Sequence, residues 1–245
     1  MTRNPHLTFS VAITATLLVF GSSRKSLADE WQPLFNGKDL AGWTVRSGTA
    51  NYDVIDGVII GTTVPLSPNT FLCTLTEYAD FELELEVKCD AGLNSGIQIR
   101  SQIAEEGTQV TNTKDPDNLR TLTLKEDRVY GYQIEIAKAE SGRSGGVYDE
   151  ARRFVFLDDL STKPEAQKAF REGEWNHFRI RCQGDRIRTW VNGVACADVQ
   201  DEMDARGIIG LQVHGNISVT GRVSKKEYEE HQVRFRKIRI KELKS

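Results

Sequence analysis

The sequence predicts an all-β protein in which two antiparallel sheets pack face to face as a sandwich. Three observations lead to this fold class: many short runs in which apolar and polar residues alternate, a strong turn signal between two of them, and almost no helical periodicity. Many strands joined by short turns are typical of a β-sandwich or a jelly roll and not of a parallel α/β sheet.

The clearest strand is FELELEVK at residues 81–88, where apolar and charged residues alternate without a break. Further strands are predicted at residues 96–100, 130–136, 175–182, 186–191, 194–199, 208–214 and 233–240. Asn192 and Gly193 separate two of these runs. They predict a type I′ hairpin, because both turn positions of that hairpin need a positive φ.

Helix is expected in two short stretches only. Residues 163–171 begin with Pro164 near a first turn and end before Gly173, which is the usual order of helix start and stop signals. A second short helical stretch is expected near residues 225–230. We find no internal repeats and no low-complexity linker, so one domain is expected.

The N-terminal residues 1–28 are predicted to be a signal peptide. Arg3 precedes an apolar run over residues 7–20, and Ser26-Leu27-Ala28 is a small-x-small pattern before a cleavage site. The alternative is a membrane anchor, but the run is shorter than the roughly 20 residues that span a bilayer. We therefore expect residues 29–245 to form a secreted or periplasmic domain with no stable membrane insertion after signal removal.

The composition limits the partners and the redox chemistry. The formal net charge is −3 with basic and acidic residues interspersed, so the sequence gives no electrostatic footprint for nucleic acid or anionic lipid. In an oxidising compartment the four cysteines are compatible with one or two disulfides, or with buried free thiols. None forms a CxxC pair, which argues against a thiolate zinc site.

Three predicted strands carry planar hydrogen-bonding groups at their outward positions. These are Gln98 and Arg100, Gln133 and Glu135, and Gln212 and His214. Such groups suit sugar hydroxyls, which need donors and acceptors at fixed angles, and Glu135 or His214 can also transfer protons. The alternative is that these are scattered polar side chains on unrelated strands. The glutamates of residues 81–88, by contrast, are typical of a solvated face.

A polar loop is the second candidate region. The segment Tyr148-Asp-Glu-Ala-Arg-Arg153 follows a glycine-rich turn at residues 141–146, and loops held on a rigid sheet commonly carry function. Glu150 and Arg152 either belong to the site or form a surface ion pair. Asn94 either binds a ligand or belongs to a tight turn.

The candidate residues do not have the spacing of a metal motif. Glu135, Glu150 and His214 have the right ligand types, but no known spacing relates them, so no metal ligand is assigned and a divalent cation stays open as a cofactor.

Eight short motifs resemble, in the same order, the 3-keto-disaccharide hydrolase domain family, formerly called domain of unknown function 1080. They are LFNGKDLAGW (34–43), NSGIQIR (94–100), GYQIEI (131–136), GVYDEARR (146–153), EWN (174–176), WVNG (190–193), GLQVHG (210–215) and VRFRKIRI (233–240). The resemblance implies a concanavalin-like lectin/glucanase jelly roll. It also implies activity on glycosides that are oxidised to a ketone at C3, with Glu135 nearest to the family's carboxylate.

The leading hypothesis is therefore an enzyme that cleaves 3-keto-glycosides by removing the C2 proton, eliminating the C1 substituent and adding water. The predicted catalytic residues are Glu135, His214 and Glu150, with Glu135 or His214 as the base. The predicted substrate-binding residues are Asn94, Gln98, Arg100, Gln133, Tyr148, Arg152 and Gln212. Arg100 or a divalent cation would stabilise the enolate. The alternatives are a non-catalytic carbohydrate-binding module and an adhesion domain of the laminin-G type.

Overall fold

The structure is a computed structural model that describes residue 1 and residues 30–215 and 230–244. The predicted signal peptide beyond residue 1 and the predicted helical stretch near 225–230 lie outside the described residues, so both stay predictions. Within the described ranges, no helix combines the length and the apolar character needed to cross a membrane.

Two large antiparallel sheets make up the protein. Sheet I has eight strands, in the spatial order β15 (Val194–Gln200), β14 (Arg186–Val191), β13 (Asn176–Gln183), β6 (Phe81–Cys89), β17 (Gln232–Glu242), β4 (Val58–Thr62) and β3 (Asn51–Ile55), with β1 (Gln32–Pro33) paired to β17. Sheet II has seven, in the order β12 (Phe156–Asp158), β11 (Val147–Glu150), β10 (Val129–Ile136), β7 (Ser95–Ile103), β16 (Ile208–Val213), β5 (Thr70–Thr74) and β2 (Trp43–Arg46). A separate hairpin contains β8 (Gln109–Asn112) and β9 (Arg120–Thr123). The predicted jelly-roll sandwich is confirmed.

The core lies between the two sheets and consists of the inward positions of the alternating strands. Ile97, Ile134 and Leu211 of sheet II are fully buried, as are Leu83 and Phe178 of sheet I. Because side chains alternate along a strand, burying these residues turns their polar neighbours to the outer faces. The amide and carboxylate side chains of sheet II therefore share one outer face.

The predicted hairpin is present, whereas the predicted helix is shorter than expected. Asn192 and Gly193 have φ values of 51° and 82° and connect the paired residues Val191 and Val194. The helix α1 covers only Pro164–Gln167.

Side chains from other elements explain where this helix ends. The amide of Asn192 donates to the carbonyl of Ala169 at 2.8 Å, and Asn176 Oδ1 accepts from the Arg171 N–H at 2.8 Å. A helix that continued to residue 171 would use the Arg171 N–H to bond the Gln167 carbonyl, so the hydrogen bond to Asn176 competes with that helix. The Ala169 carbonyl would lie in its last turn, where carbonyls have no partner within the helix, and Asn192 satisfies it.

All four cysteines are free and buried, which decides between the two possibilities that the sequence left open. Burial raises the pKa of the Cys73, Cys89 and Cys182 thiols to about 12 and that of Cys196 to about 11. The thiols are therefore protonated and shielded in the folded protein, and both conditions suppress their nucleophilicity.

We expect the folded protein to show no reactive thiol toward Ellman's reagent at pH 8, because thiolate is the reacting species and none of the cysteines is accessible. The same protein in guanidinium chloride should release the absorbance of four thiols per chain. Reaction of the folded protein within minutes, or fewer thiols after denaturation, would contradict this arrangement.

Candidate functional site

A cavity of about 710 Å³ opens on the outer face of sheet II, and we call it the groove. Its floor comes from β10, β11 and β16, while the loop before β5, the loop between β8 and β9 and the segment after β9 contribute to its walls. Seven residues predicted from the sequence line it: Asn94, Gln133, Glu135, Tyr148, Glu150, Gln212 and His214.

The pairing of β10 with its two neighbours brings these residues together. Gln133 lies opposite Gln98 of β7 on one side and opposite Tyr148 of β11 on the other, and Glu135 lies opposite Gly96. An added Cβ at Gly96 would lie 2.4 Å from the Gln133 side-chain carbon Cδ. Glycine at this position therefore leaves the space that the Gln133 amide occupies.

A chain of side-chain hydrogen bonds orients the floor of the groove. Ser101 Oγ donates to Gln98 Oε1 at 2.6 Å, and Gln98 Nε2 donates to Gln133 Oε1 at 2.7 Å. Gln133 Nε2 then donates to Glu135 Oε2 at 2.9 Å, while Asn94 Nδ2 donates to Glu135 Oε1 at 2.6 Å. The chain ends on both oxygens of one carboxylate, which fixes the position of that carboxylate.

This chain changes the role expected for Gln98. Its side chain is fully buried, does not line the groove, and has both amide ends bonded to protein groups. The structure therefore does not place Gln98 among the residues that could contact a ligand in the groove. Gln98 instead orients Gln133, which does line the groove.

The Glu135 carboxyl is 8% exposed, and its pKa is raised from the ordinary glutamate value. Burial is the largest cause, because it disfavours the charged form. The Asn94 and Gln133 amides oppose the increase, the charge of Glu150 adds to it, and Arg143 lowers it slightly. A carboxylate in this setting is a stronger base than an exposed glutamate, which suits proton transfer near neutral pH.

Glu150 is the last residue of β11 and His214 directly follows β16, so these two side chains reach the groove from strands that are not neighbours in sheet II. Glu150 forms an ion pair with Arg128 and accepts a hydrogen bond from Asn69 Nδ2 at 3.1 Å, whereas Arg152 pairs with Asp149 and Asp204, so the alternative of a Glu150–Arg152 ion pair is not what the structure contains. Asn69 Oδ1 also accepts the Gly215 N–H at 2.8 Å, which links Glu150 to the segment that carries His214.

The histidine ring is exposed, and its Nδ1 lies 2.7 Å from the Gly215 carbonyl oxygen. A carbonyl oxygen only accepts hydrogen bonds, so Nδ1 carries a hydrogen and donates it. The second ring nitrogen, Nε2, is then the one available to exchange a proton with a ligand.

Gln212 is the one fully buried groove residue whose side-chain amide has no hydrogen-bond partner among the described residues, at either Nε2 or Oε1. A buried amide without partners costs about 1–3 kcal/mol of folding free energy. Functional sites commonly carry such a cost when a ligand supplies the missing partners. Gln212 therefore offers a ligand one donor and one acceptor.

Two predicted binding residues lie elsewhere, because the strand alternation breaks before them. Arg100 has a φ of 47° in a bulge of β7, and its guanidinium donates to Asp80 and to two backbone carbonyls at the end of sheet I. Arg152 follows Ala151, which has a φ of 54°, and forms buried ion pairs with Asp149 and Asp204. Neither lines the groove, so the structure does not bring them together with the other predicted binding residues.

Several groove residues were not found from the sequence because they belong to loops and to an edge strand. They are Ser47, Pro68, Asn69, Lys114, Lys125, Glu126, Arg128, Arg143, Phe154 and Phe156. Among them, Phe156 packs 5.0 Å from the Tyr148 ring, and the Arg143 guanidinium lies 5.0 Å above the Phe156 ring. Only Arg143 could have been found from the sequence, since it lies in the glycine-rich turn at residues 141–146 that precedes the predicted polar loop.

The expected ligand types do not form a metal centre. In residues 30–215 and 230–244, no three side chains of histidine, cysteine, aspartate or glutamate are arranged to hold a metal ion. Both oxygens of Glu135 already accept amide hydrogens, and Glu150 is neutralised by Arg128. The described groove therefore does not fit a divalent cation bound by three protein ligands.

Comparison with known proteins gives one family match. Residues 30–241 match the sequence profile of the 3-keto-alpha-glucoside-1,2-lyase-like domain. No curated protein matches the chain.

Solved structures of several carbohydrate-related proteins share the fold. A protein assigned as a glycosyl hydrolase from Parabacteroides distasonis is 24% identical, with a TM-score of 0.51 over 88% of this chain and 100% of that chain. The carbohydrate-binding module CBM66 from Bacillus subtilis is 16% identical, with a TM-score of 0.51 over 82% and 95%. The kappa-carrageenase of Pseudoalteromonas carrageenovora is 8% identical, with a TM-score of 0.52 over 90% and 98%. At these identities the likeness shows a common fold.

Proposed function

Since the chain belongs to the 3-keto-alpha-glucoside-1,2-lyase-like domain family, which is a family of carbohydrate-active domains, we propose that it cleaves the C1–O bond of glycosides that carry a ketone at C3. The observation that carries the proposal is Glu135, a buried carboxylate with a raised pKa that two amides hold at the floor of a sugar-sized groove.

The first step is removal of the C2 proton. A ketone at C3 acidifies that proton, and Glu135 takes it while the electron pair moves through C2 and C3 onto the ketone oxygen. Gln212 Nε2, which has no partner among the described residues, donates a hydrogen bond to the enolate oxygen that develops. Gln212 thus takes the role that the sequence assigned to Arg100.

The second step breaks the bond to the aglycone. The enolate re-forms the C3 carbonyl, a double bond forms between C1 and C2, and the C1–O bond breaks with its electron pair on the leaving oxygen. His214 Nε2 in its protonated form supplies the proton to that oxygen. Water then adds at C1 and a proton returns to C2, so the overall reaction is hydrolysis without an oxocarbenium ion.

The test is direct. The mature chain, residues 29–245, is incubated with 3-keto-trehalose and with a chromogenic 3-keto-glucoside, with and without a chelator, and release of the aglycone is followed. Release that requires Glu135 supports the proposal. No release, together with a sugar-dependent increase in the melting temperature, would instead favour a carbohydrate-binding module, and neither effect would point to protein partners.

The pH dependence of the rate reports on the base. Glu135 must be ionised to accept a proton, so kcat/KM should fall on the acid side with a midpoint above the ordinary glutamate value, because burial raises its pKa. Asn94→Ala removes a hydrogen bond that lowers this pKa and should move the midpoint to higher pH. Glu150→Gln removes a like charge and should move it to lower pH.

The matched control for the second variant is Glu140→Gln, which makes the same charge change at an exposed position outside the groove. Its pH profile should equal that of the wild type. If both groove variants move the midpoint in the same direction, Glu135 is not the group that titrates.

A further inference from the structure

The outer face of sheet I is rich in basic residues although the whole chain is acidic. The strands β14, β13, β6 and β17 are neighbours in this sheet, and we call their outward side the basic face. Its basic residues are Lys88, Arg179, Arg181, Arg186, Arg188, Arg234, Arg236, Lys237, Arg239 and Lys241, and its acidic residues are Glu82, Glu84 and Glu86. Asp198 and Asp90 at its margins pair with Arg186 and Arg234. The face stays positive, while the chain has a formal net charge of −3.

The charges of the basic face form parallel rows. The three glutamates lie in one row on β6, with cations on the strands at both sides. Glu82 accepts hydrogen bonds from Arg179 and Arg181, each at 2.9 Å, and Glu84 accepts from Arg239 Nε at 2.9 Å. Because one glutamate serves two arginines, guanidinium N–H groups and net positive charge remain available to a ligand.

Three tryptophans hold arginines of the basic face in place. The guanidinium of Arg236 lies 3.9 Å above the Trp175 ring, that of Arg239 lies 4.7 Å above Trp31, and those of Arg179 and Arg188 lie 5.0 and 5.8 Å from Trp190. An arginine stacked on an indole is pre-organised and still presents its N–H edge.

A recess lies at one side of the basic face. It has a volume of about 550 Å³, and its lining includes Trp31, His177, Lys237 and Arg239. Lys237 has a φ of 52° at a register shift of β17, and this bulge turns its side chain toward the outer face, where it bonds Glu86 at 2.8 Å. The recess is therefore bordered by the cations Lys237 and Arg239, by glutamates of the β6 row and by the ring of Trp31.

We propose that the basic face binds an anionic polysaccharide of the polyuronate class, at a site separate from the groove. The fork of an arginine matches a carboxylate with two hydrogen bonds, and a uronate chain carries one carboxylate per sugar. The sugar hydroxyls between these carboxylates donate to Glu84 and Glu86, which are less buried than Glu82, so the polysaccharide contacts both the cations and the glutamate row.

The glutamate row distinguishes this ligand from a nucleic acid. Duplex DNA carries one negative charge per about 1.7 Å of helix axis, so some of its phosphates would lie against Glu82, Glu84 or Glu86. A guanidinium group also lies over one face of each indole, and that face is not free to stack with bases.

The experiment measures binding of the mature chain to polygalacturonate by calorimetry at about 50 and about 200 mM salt, since exposed ionic contacts weaken as the Debye length falls. We expect salt-dependent binding to polygalacturonate and none to neutral dextran. The triple variant Arg188→Gln, Arg236→Gln, Arg239→Gln should weaken binding by about tenfold or more, because it removes three of the four tryptophan-stacked arginines.

The matched control removes the same number of cations from exposed positions on other elements, as Arg120→Gln, Lys138→Gln, Lys168→Gln. Its affinity should stay within about twofold of the wild type. Equal losses in the two triple variants, equal affinity for duplex DNA, or binding to dextran would overturn the proposal.

Two further readouts keep the test independent of folding and of the groove. Glu84→Gln removes a negative charge from the basic face, keeps every arginine and keeps one side-chain oxygen that can accept from a sugar hydroxyl, so it should strengthen binding, and weaker binding with intact thermal stability would contradict the proposal. Aglycone release from a 3-keto-glucoside should be unchanged in the arginine variant, so failure of this proposal and failure of the proposed activity are distinguishable.

Discussion

Replacement of Glu135 by glutamine is expected to lower kcat for aglycone release from a 3-keto-glucoside by about 10²–10⁴-fold, the usual contribution of a positioned general base. The variant keeps the size of the side chain and removes its capacity to accept the C2 proton. Steady-state kinetics with a chromogenic 3-keto-glucoside measure the effect. Because the groove keeps its shape, KM should change much less than kcat.

The same substitution also disturbs the hydrogen-bond chain, and this effect needs its own control. Two amides donate to the Glu135 carboxylate, and a glutamine can accept from only one of them through its single oxygen. One donor is left unpaired, at a cost of about 1–3 kcal/mol in the free energy of unfolding. Asn94→Ala is the matched control, since it loses one of these hydrogen bonds but keeps the base.

The two variants separate chemistry from stability. Asn94→Ala should lower the melting temperature and retain most of the turnover, whereas Glu135→Gln should lose the turnover even at temperatures where both proteins are folded. A Glu135→Gln protein whose kcat stays within tenfold of the wild type would show that another group removes the proton. His214 would then be the first residue to test.

The alternation of side chains along strands accounts for how much of the groove could be predicted. Gln133, Glu135 and Gln212 follow the period of two within regular parts of β10 and β16, so their outward direction was readable from the neighbouring isoleucines, leucine and valine. Burial of those apolar neighbours fixes the register, because a slip by one residue would turn every polar side chain into the core.

The same rule fails where the backbone leaves the regular geometry. Arg100 follows Gln98 by two residues and was predicted to share its face, but the chain adopts a φ of 47° at Arg100 and the register shifts within β7. A bulge re-aims one side chain without changing the pattern of letters, so alternation cannot detect it.

Loop residues were out of reach for a different reason. Asn69 reaches Glu150, 81 positions later in the chain, and Arg128 reaches the same carboxylate from 22 positions before it. These contacts depend on which strands are neighbours in sheet II, and the sequence of a β-sandwich does not state the order of its strands. The same holds for the charged rows of sheet I. From the sequence, the glutamates of β6 indicated only a solvated face, because the sequence does not show that β6 lies between the arginine-rich strands β13 and β17.

Arg100 leads to the largest stability effect that we expect. Its side chain is 1% exposed and starts from sheet II, yet its guanidinium donates to three groups at the end of sheet I: Ala79 O at 2.6 Å, Gly184 O at 2.7 Å and Asp80 Oδ1 at 2.8 Å. It therefore ties the two sheets together where the apolar core ends. Breaking a buried ion pair by removing one partner typically costs about 3–5 kcal/mol, because the other charge stays buried.

Arg100→Met keeps most of the side-chain volume and removes all of these donors, so it should lower the melting temperature by about 6–20 °C for a chain of this size. Arg186→Met is the matched control: Arg186 also pairs with an aspartate, Asp198, and bonds both of its oxygens, but this pair is exposed and its loss should hardly move the melting temperature. The double variant Arg100→Met, Asp80→Leu should recover part of the loss, since it also removes the uncompensated charge. Equal melting temperatures for Arg100→Met and Arg186→Met would show that Arg100 does not join the sheets, and its exclusion from the groove would then need another explanation.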